Sequence, residues 1–489
     1  MEKRMDLTRR AFLTAMGVGA AGFALSGCAS AETAPAAEGR RRQPNIIYIL
    51  ADDLGYGDLS CYGQKQFATP HIDRLAKEGM RFTQHYAGST VCAPSRCVLM
   101  TGLHTGHCQI RGNKGMRPEG QHPLKANTPT LARLLQQSGY TTGAFGKWGL
   151  GGPGSSGEPN RQGFDTFFGY NCQSLAHHYY PEYLWRNGEK VMLEGNDPTA
   201  RTGQYAHDLI ADEMLAFVRA HADKPFFLYV PFTIPHAELT APEESMAKYR
   251  GKFPEPTPFV NERGQGYGSQ AAPRAAFAAM VDRMDGDVGR LLGLLKELKL
   301  DERTIVMFSS DNGPHVEGGA DPAFFGSSGP LRGTKRDLYE GGIRVPMLVR
   351  WPGKIKAGST SEHVSAFWDV LPTCMELAGA AVPNGIDGIS FVPTLLGYGK
   401  TQTQHAQMYW EFHEQGGKQA LRMGKWKAVR LNATSDPNGP LELYDLSKDP
   451  GEKKNAASRN KTLVEEMAAR MQESRLPNQD FPFYSGEGG

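Results

Sequence analysis

The chain runs to 489 residues, room for one large domain or a large and a small one, and its composition is that of an ordinary globular protein without low-complexity tract, heptad pattern or internal repeat. Its formal net charge is +2, and residues 1–28 account for all of it, with Lys3, Arg4, Arg9 and Arg10 against Glu2 and Asp6. The remainder is neutral, which argues against a nucleic-acid partner held through a broad basic field.

Residues 1–28 are expected to be a targeting segment rather than part of the fold. Thr8-Arg9-Arg10-Ala11-Phe12-Leu13 is a twin-arginine pattern, and the apolar run that follows, Ala11–Leu25, is shorter than the roughly 20 residues a spanning helix needs. Leu25-Ser26-Gly27-Cys28 resembles a bacterial lipobox, with Cys28 the lipidated residue; the alternative is an ordinary signal peptide cut near Ala29–Ala37. Either predicts export, to the periplasm or as an outer-membrane lipoprotein of a bacterium, with the membrane touched only through the lipid. Residues 29–42, including Arg40-Arg41-Arg42, read as a linker. The seven cysteines include no CxxC pair, so neither a disulfide framework nor a thiolate zinc site is expected.

Pro44–Ala51 is a continuous apolar, β-branched run, the pattern of a strand buried on both faces in a parallel sheet. Asp52-Asp53 follows at once, beyond the strand's carboxyl end, where open α/β sheets gather ligands. Adjacent carboxylates there suit a hard divalent cation, or else they cap turns. Thr69–Gly79 predicts a helix and Met80–Tyr86 a strand. Cys92-Ala93-Pro94-Ser95-Arg96 is a Pro-punctuated loop entering an apolar helix, Cys97–Thr101. Cys92 just ahead of that helix, with Arg96 a turn on, is either a reactive thiol of lowered pKa or a buried structural cysteine. A helix from Thr128-Pro129 to about Gly139 and a strand Thr141–Phe145 lead to Gly146-Lys147, where the glycine implies a close backbone approach.

The stretch 170–185 collects Tyr170, His177, His178, Tyr179, Tyr180, Tyr183 and Trp185, a set that suits sugar rings and equally suits packing. A helix near 204–221 precedes the strand Phe226–Val230, which delivers Pro235-His236, an acid–base candidate. Residues 238–272 read as a surface loop, and Phe277 to Leu298 as an amphipathic helix. The buried strand Thr304–Phe308 ends in Asp311-Asn312-Gly313; if it neighbours the first strand, the two pairs form one oxygen site. Lys335 lies among glycines before a strand at Val345–Trp351, and Leu371–Ala378 closes the large unit as a helix. Past residue 400, Gln407–Phe412, Gln419–Arg430 and Leu441–Leu446 read as strands and Thr462–Glu473 as a helix.

These residues are similar to the motifs of the type I sulfatases of the alkaline phosphatase superfamily, over nearly the whole chain after the leader. The likeness is carried by Asn45–Gly57, Cys92–Arg96, Gly146-Lys147-Trp148, Pro235-His236, Asp311-Asn312-Gly313, Gly333-Thr334-Lys335 and Leu443-Tyr444-Asp445-Leu446. The resemblance implies an α/β fold: a large, mixed, mostly parallel sheet sandwiched by helices over 43–400, and a small C-terminal antiparallel sheet with a helix over 401–489. It implies that a separate maturation enzyme oxidises Cys92 to Cα-formylglycine, and that Asp52, Asp53, Asp311, Asn312 and the modified Cys92 ligate Ca²⁺. It further implies that Arg96 steadies the aldehyde hydrate, that Lys147 and Lys335 neutralise sulfate oxygens, and that His236 protonates the leaving alcohol. One hydroxyl of the hydrate would attack sulfur, and the second would expel sulfate.

One departure stands out. The family commonly has His two residues after the Lys147 equivalent, and this chain has Gly149 there, leaving His104, His107, His177 or His178 as replacement bases. The expected activity is hydrolysis of a sulfate ester on a sulfated sugar, with residues 170–185, His177 and His178 among them, His315 and residues 405–417 at the substrate rim. The other readings are a phosphoester or phosphonate monoester hydrolase of the same superfamily and an inactive glycan-binding homologue.

Overall fold

The computed structural model describes residues 43–255, 257–262, 266–484 and 487. The twin-arginine and lipobox motifs, Cys28 and the basic run at 40–42 lie outside the described residues, among which no helix is long and apolar enough to cross a membrane.

Eleven strands form the large sheet: β1 (Asn45–Ala51), β2 (Met80–Tyr86), β3 (Thr141–Lys147), β4 (Thr166–Tyr170), β5 (Tyr183–Arg186), β6 (Glu189–Met192), β7 (Phe226–Pro231), β8 (Thr304–Ser310), β9 (Arg344–Arg350), β10 (Ser359–Ser361) and β11 (Ser365–Ala366). They lie in the order β10-β2-β9-β8-β1-β7-β3-β4-β5-β6, with β11 also on β2. The centre, β8-β1-β7-β3-β4, is parallel; β9 runs antiparallel to both β2 and β8, and β5 and β6 continue antiparallel from β4.

The apolar run of β1 is used on both faces. Ile46, Tyr48 and Leu50 enter one core, and Ile47, Ile49 and Ala51 the other. Helices α1 (Pro70–Glu78), α2 (Cys92–Thr101), α3 (Leu131–Gln137), α4 (Ala206–Ala220), α5 (Glu243–Tyr249) and α6 (Pro273–Glu297) divide between those faces. α2 and α3 cover the first through Val98, Leu99, Leu131 and Leu135, joined by the helix Val370–Leu377. α1, α4, α5 and α6 cover the second through Leu75, Met214, Met246 and Phe277. The parallel strands buried on both faces, and the α/β sandwich that the resemblance implies, are therefore present.

A second sheet is antiparallel, with β12 (Met408–Phe412), β13 (Lys418–Met423), β14 (Trp426–Leu431) and β15 (Leu441–Asp445) in that order. The helix Lys461–Glu473 packs on it through Met467 and Met471.

Three elements differ from the sequence reading. The segment 419–430 is not one strand but two, β13 and β14, paired across a two-residue turn at Gly424-Lys425. β4, β5 and β6 are strands that the sequence reading did not name, β5 overlapping the aromatic stretch 170–185; they are short, and backbone pairing in series from β3, rather than a long apolar period, sets them. The loop 238–272 contains α5, whose seven residues are too few to show a helical period above the surrounding Pro and Gly.

Candidate active site

The parallel centre puts the carboxyl ends of its strands on one edge. β1 and β8 pair so that Ala51 lies beside Ser310, and the Asp311 amide donates to the Ala51 carbonyl at 3.0 Å. Asp52, Asp53, Asp311 and Asn312 are thereby adjacent, and all four are fully buried. Asp53 takes a positive φ of 64°, a conformation disfavoured for a non-glycine residue, and it is locked there by its amide donating to Asp311 Oδ1 at 3.1 Å. Asn312 Nδ2 donates to Asp53 Oδ1 at 2.7 Å.

α2 begins at Cys92 itself, with Val91 as its N-cap, rather than at Cys97. Pro94 fits within the first turn, where no backbone N–H is needed. The start of the helix therefore carries Cys92 into the site, with Sγ 3.3 Å from Asp52 Oδ1. Burial, and then the Asp52 carboxylate beside it, push the thiol's pKa well above the ordinary value and outweigh Lys147 and Lys335.

The cations interleave with the carboxylates. Arg96 donates to Asp311 Oδ2 from Nε at 3.1 Å and Nη2 at 2.8 Å, lies 3.2 Å from Asp52, and also donates to the Lys147 carbonyl. Lys147 Nζ is 2.7 Å from Asp52 Oδ2 and 3.5 Å from Cys92 Sγ. Lys335 Nζ is 2.8 Å from Asp53 Oδ2 and 3.1 Å from Glu317. Burial pushes the Asp52 carboxyl up, but Lys147, His236, Arg96 and Lys335 together outweigh it and hold the group well below the usual range. Asp311, with burial and the Asp52 charge both against ionisation, is pushed up to about 7.

His236 Nδ1 donates to the Ala237 carbonyl, which can only accept, so in the neutral ring Nε2 carries the lone pair. Nε2 stands 3.5 Å from Asp53 Oδ2. Burial, then Lys335 and Lys147, hold its pKa well below the ordinary value. An anion seated between those lysines offsets them and favours protonation.

A cavity of about 500 Å³ opens over this cluster, lined among others by Cys92, Asn113, Arg117, Gln173, His177, His236, Tyr267 and Lys335. His177 stacks on His236 with centroids 5.3 Å apart, and His315 stacks with His236 at 5.9 Å. His315 is buried, and its ring nitrogens meet the Pro235 carbonyl and the Glu317 amide; neither it nor His178 is among the cavity's lining residues. His104 and His107 stack on each other and pair with Asp387 in a separate cluster. Of the four histidines considered as substitutes at Gly149, the structure thus brings His177 to the cavity. Asn113, Arg117, Gln121, Gln173, Tyr267 and Arg336 line it without having been singled out, because loop residues of ordinary type carry no motif.

Comparison with known proteins agrees with this geometry. The sulfatase family model matches residues 44–380, more than half of the chain, and a second model, the C-terminal part of N-sulphoglucosamine sulphohydrolase, matches 333–477. The chain belongs to the sulfatase family. The sulfatase is 35% identical over 463 residues to arylsulfatase A of Homo sapiens, covering 85% of this chain and 83% of that protein. It is 29% identical over 510 residues to the N-acetylgalactosamine-6-O-sulfatase of Bacteroides thetaiotaomicron, covering 87% and 92%. Among solved structures, Ps i-CgsB in complex with k-i-k-neocarrahexaose superposes with a TM-score of 0.74 at 30% identity, covering 91% of this chain and 96% of that one. The sulfatase is accordingly a sulfuric ester hydrolase of alkaline phosphatase-like fold.

Proposed function

We propose that the sulfatase cleaves sulfate esters on a glycan, with residue 92 as Cα-formylglycine and Ca²⁺ held by Asp52, Asp53, Asp311, Asn312 and residue 92. The observation that carries the proposal is the convergence of those buried oxygen donors with Cys92, Lys147 and Lys335, two of which, Cys92 and Lys335, line the cavity. Asn312 Oδ1 is buried without a hydrogen-bond partner, and an orphaned acceptor among carboxylates fits a hard cation that takes oxygen ligands. The bound ion supplies positive charge to the reacting oxygens. The modified residue supplies a hydroxyl nucleophile from its hydrate.

The chain's own side chains do the rest. Arg96, tied to Asp311 and to the Lys147 carbonyl, orients the floor. Lys147, within 3.5 Å of the residue-92 side chain, holds a proton there and draws in a sulfuryl oxygen. Lys335 attracts a second oxygen, and His236 Nε2 exchanges the proton of the leaving oxygen. Fixed charge of this kind, already oriented before reaction, contributes most to such chemistry. Support for a glycan comes from relatives named for sulfated sugars and from the complex of Ps i-CgsB with a neocarrahexaose.

The test is to co-express the chain with a formylglycine-generating enzyme and offer defined sulfated saccharides beside matched phosphate esters. The Cys92 peptide is weighed in the same preparation. Sulfate release that EDTA abolishes and Ca²⁺ restores is expected; aldehyde-bearing protein that prefers phosphate esters would reverse the assignment. Export with lipidation at Cys28 belongs to the same proposal, and palmitate labelling that Cys28→Ala fails to remove would exclude it.

A further inference from the structure

Gly149 sits at φ 78°, its amide donating to the Asn171 carbonyl at 3.1 Å. A Cβ placed on it would lie 2.7 Å from Gln173 Nε2. The Gln173 side chain therefore fills the space that a side chain at 149 would otherwise take. It does so without a hydrogen-bond partner. Nε2 of Gln173 is buried and unpaired, and both side-chain atoms of the neighbouring Asn171, itself fully buried, are unpaired too. Buried amide donors are almost always satisfied, so one left open beside a cavity calls for a partner from outside the chain, a water or a ligand. The Gln173 backbone, by contrast, is pinned, its amide donating to Gln121 Oε1 at 3.2 Å. Gln173 lines the same cavity as Cys92, Lys335 and His236. Arg117, Lys335 and Arg336 bring positive charge to its lining.

We propose that Gln173 is a substrate-contacting residue whose Nε2 donates a hydrogen bond to an oxygen of the sulfuryl group, filling the place left open at Gly149. This rests on the reading of the cavity floor as the sulfuryl site. The contact involves no covalent step: a neutral donor meets an oxygen that carries charge both in the ester and in the released sulfate. An amide cannot change protonation in this range, so Gln173 acts by hydrogen bonding rather than as a base.

The experiment measures inorganic sulfate binding by calorimetry to the full chain carrying Cys92→Ala, so that the result does not depend on turnover, and sulfate inhibition of the matured enzyme in parallel. Gln173→Met keeps the volume and removes the donor; Gln173→Glu keeps the shape and makes the group acceptor-only. Sulfate affinity should fall about tenfold in Gln173→Met and further in Gln173→Glu, with kcat/KM falling in parallel and melting temperatures close to wild type. A purely structural Gln173 would lower the melting temperature and leave sulfate affinity unchanged, which overturns the proposal. Failure of the parent chain to bind sulfate at all overturns it as well. A chain that binds sulfate through Gln173 yet hydrolyses no sulfate ester leaves this contact standing and removes the proposed function instead.

Discussion

At the scale of single residues, position 149 is where local backbone geometry decides chemistry. A left-handed conformation costs a non-glycine residue about 1–2 kcal/mol, and here an added Cβ also meets Gln173. Gly149→His should therefore destabilise the chain by at least about 1 kcal/mol without raising activity, as chemical denaturation and steady-state kinetics will measure. Adding Gln173→Gly, which clears the obstructing side chain, should recover part of the loss. Lys335 presents the opposite case, a residue whose charge matters more than its shape. It is buried against Asp53 and Glu317. Lys335→Ala should lower kcat/KM by about 10²–10³, the scale of losing one fixed charge-stabilising group, with circular dichroism unchanged. The lysines were visible in the sequence because each sits in a recognisable motif. Gln173 was not, since a glutamine in a loop looks the same whether or not it faces a cavity.

At the scale of elements, β2 shows how an ordinary strand carries a pH liability. His85 bonds Ser365 Oγ of β11 through Nδ1 at 2.9 Å, while its Nε2 is buried without a partner. Burial, with a smaller push from His363, lowers its pKa to about 3. The unfolded chain then binds a proton near the ordinary value of about 6.5, where the folded chain does not. Stability is full above that value and is lost as pH falls through it, by about 2 kcal/mol at pH 5. His85→Asn, which keeps a partner for Ser365, should narrow the drop in melting temperature between pH 7 and pH 5. Elements themselves were legible in proportion to their length and burial. β1 and β8 could be read from apolar runs alone, and α6 from its spacing. β5 and β6, four residues each, could not, because their pairing partners rather than their own residues make them strands.

At the scale of the whole molecule, the small sheet is tied to the large one by buried charge. Lys427 on β14 lies 3.0 Å from both Glu340 and Glu452, with all three side chains out of solvent. Glu340 also accepts from Tyr86 of β2 at 2.6 Å, so one cation links β14 to β2 of the large sheet. Lys427→Met leaves two carboxylates buried together and should cost about 3–5 kcal/mol, read as a large fall in melting temperature. Replacing Lys427 and both glutamates together by apolar residues should recover much of that loss.

What the sequence determined by itself was the chemistry available: which strands are apolar enough to be buried twice, and which carboxylates, cysteine, lysines and histidine follow them at a carboxyl end. These are local facts, set by side-chain period and by motif. Tertiary structure alone decided how that chemistry is tuned. It placed Asp52 beside Asp311 across the β1–β8 register, started α2 at Cys92 and buried the thiol against a carboxylate, surrounded His236 with burial and two lysines that lower its pKa, and set Gln173 in the space above Gly149. Charge, burial and hydrogen bonding act through space, between residues hundreds of positions apart in the chain, and no local pattern records which of them will meet.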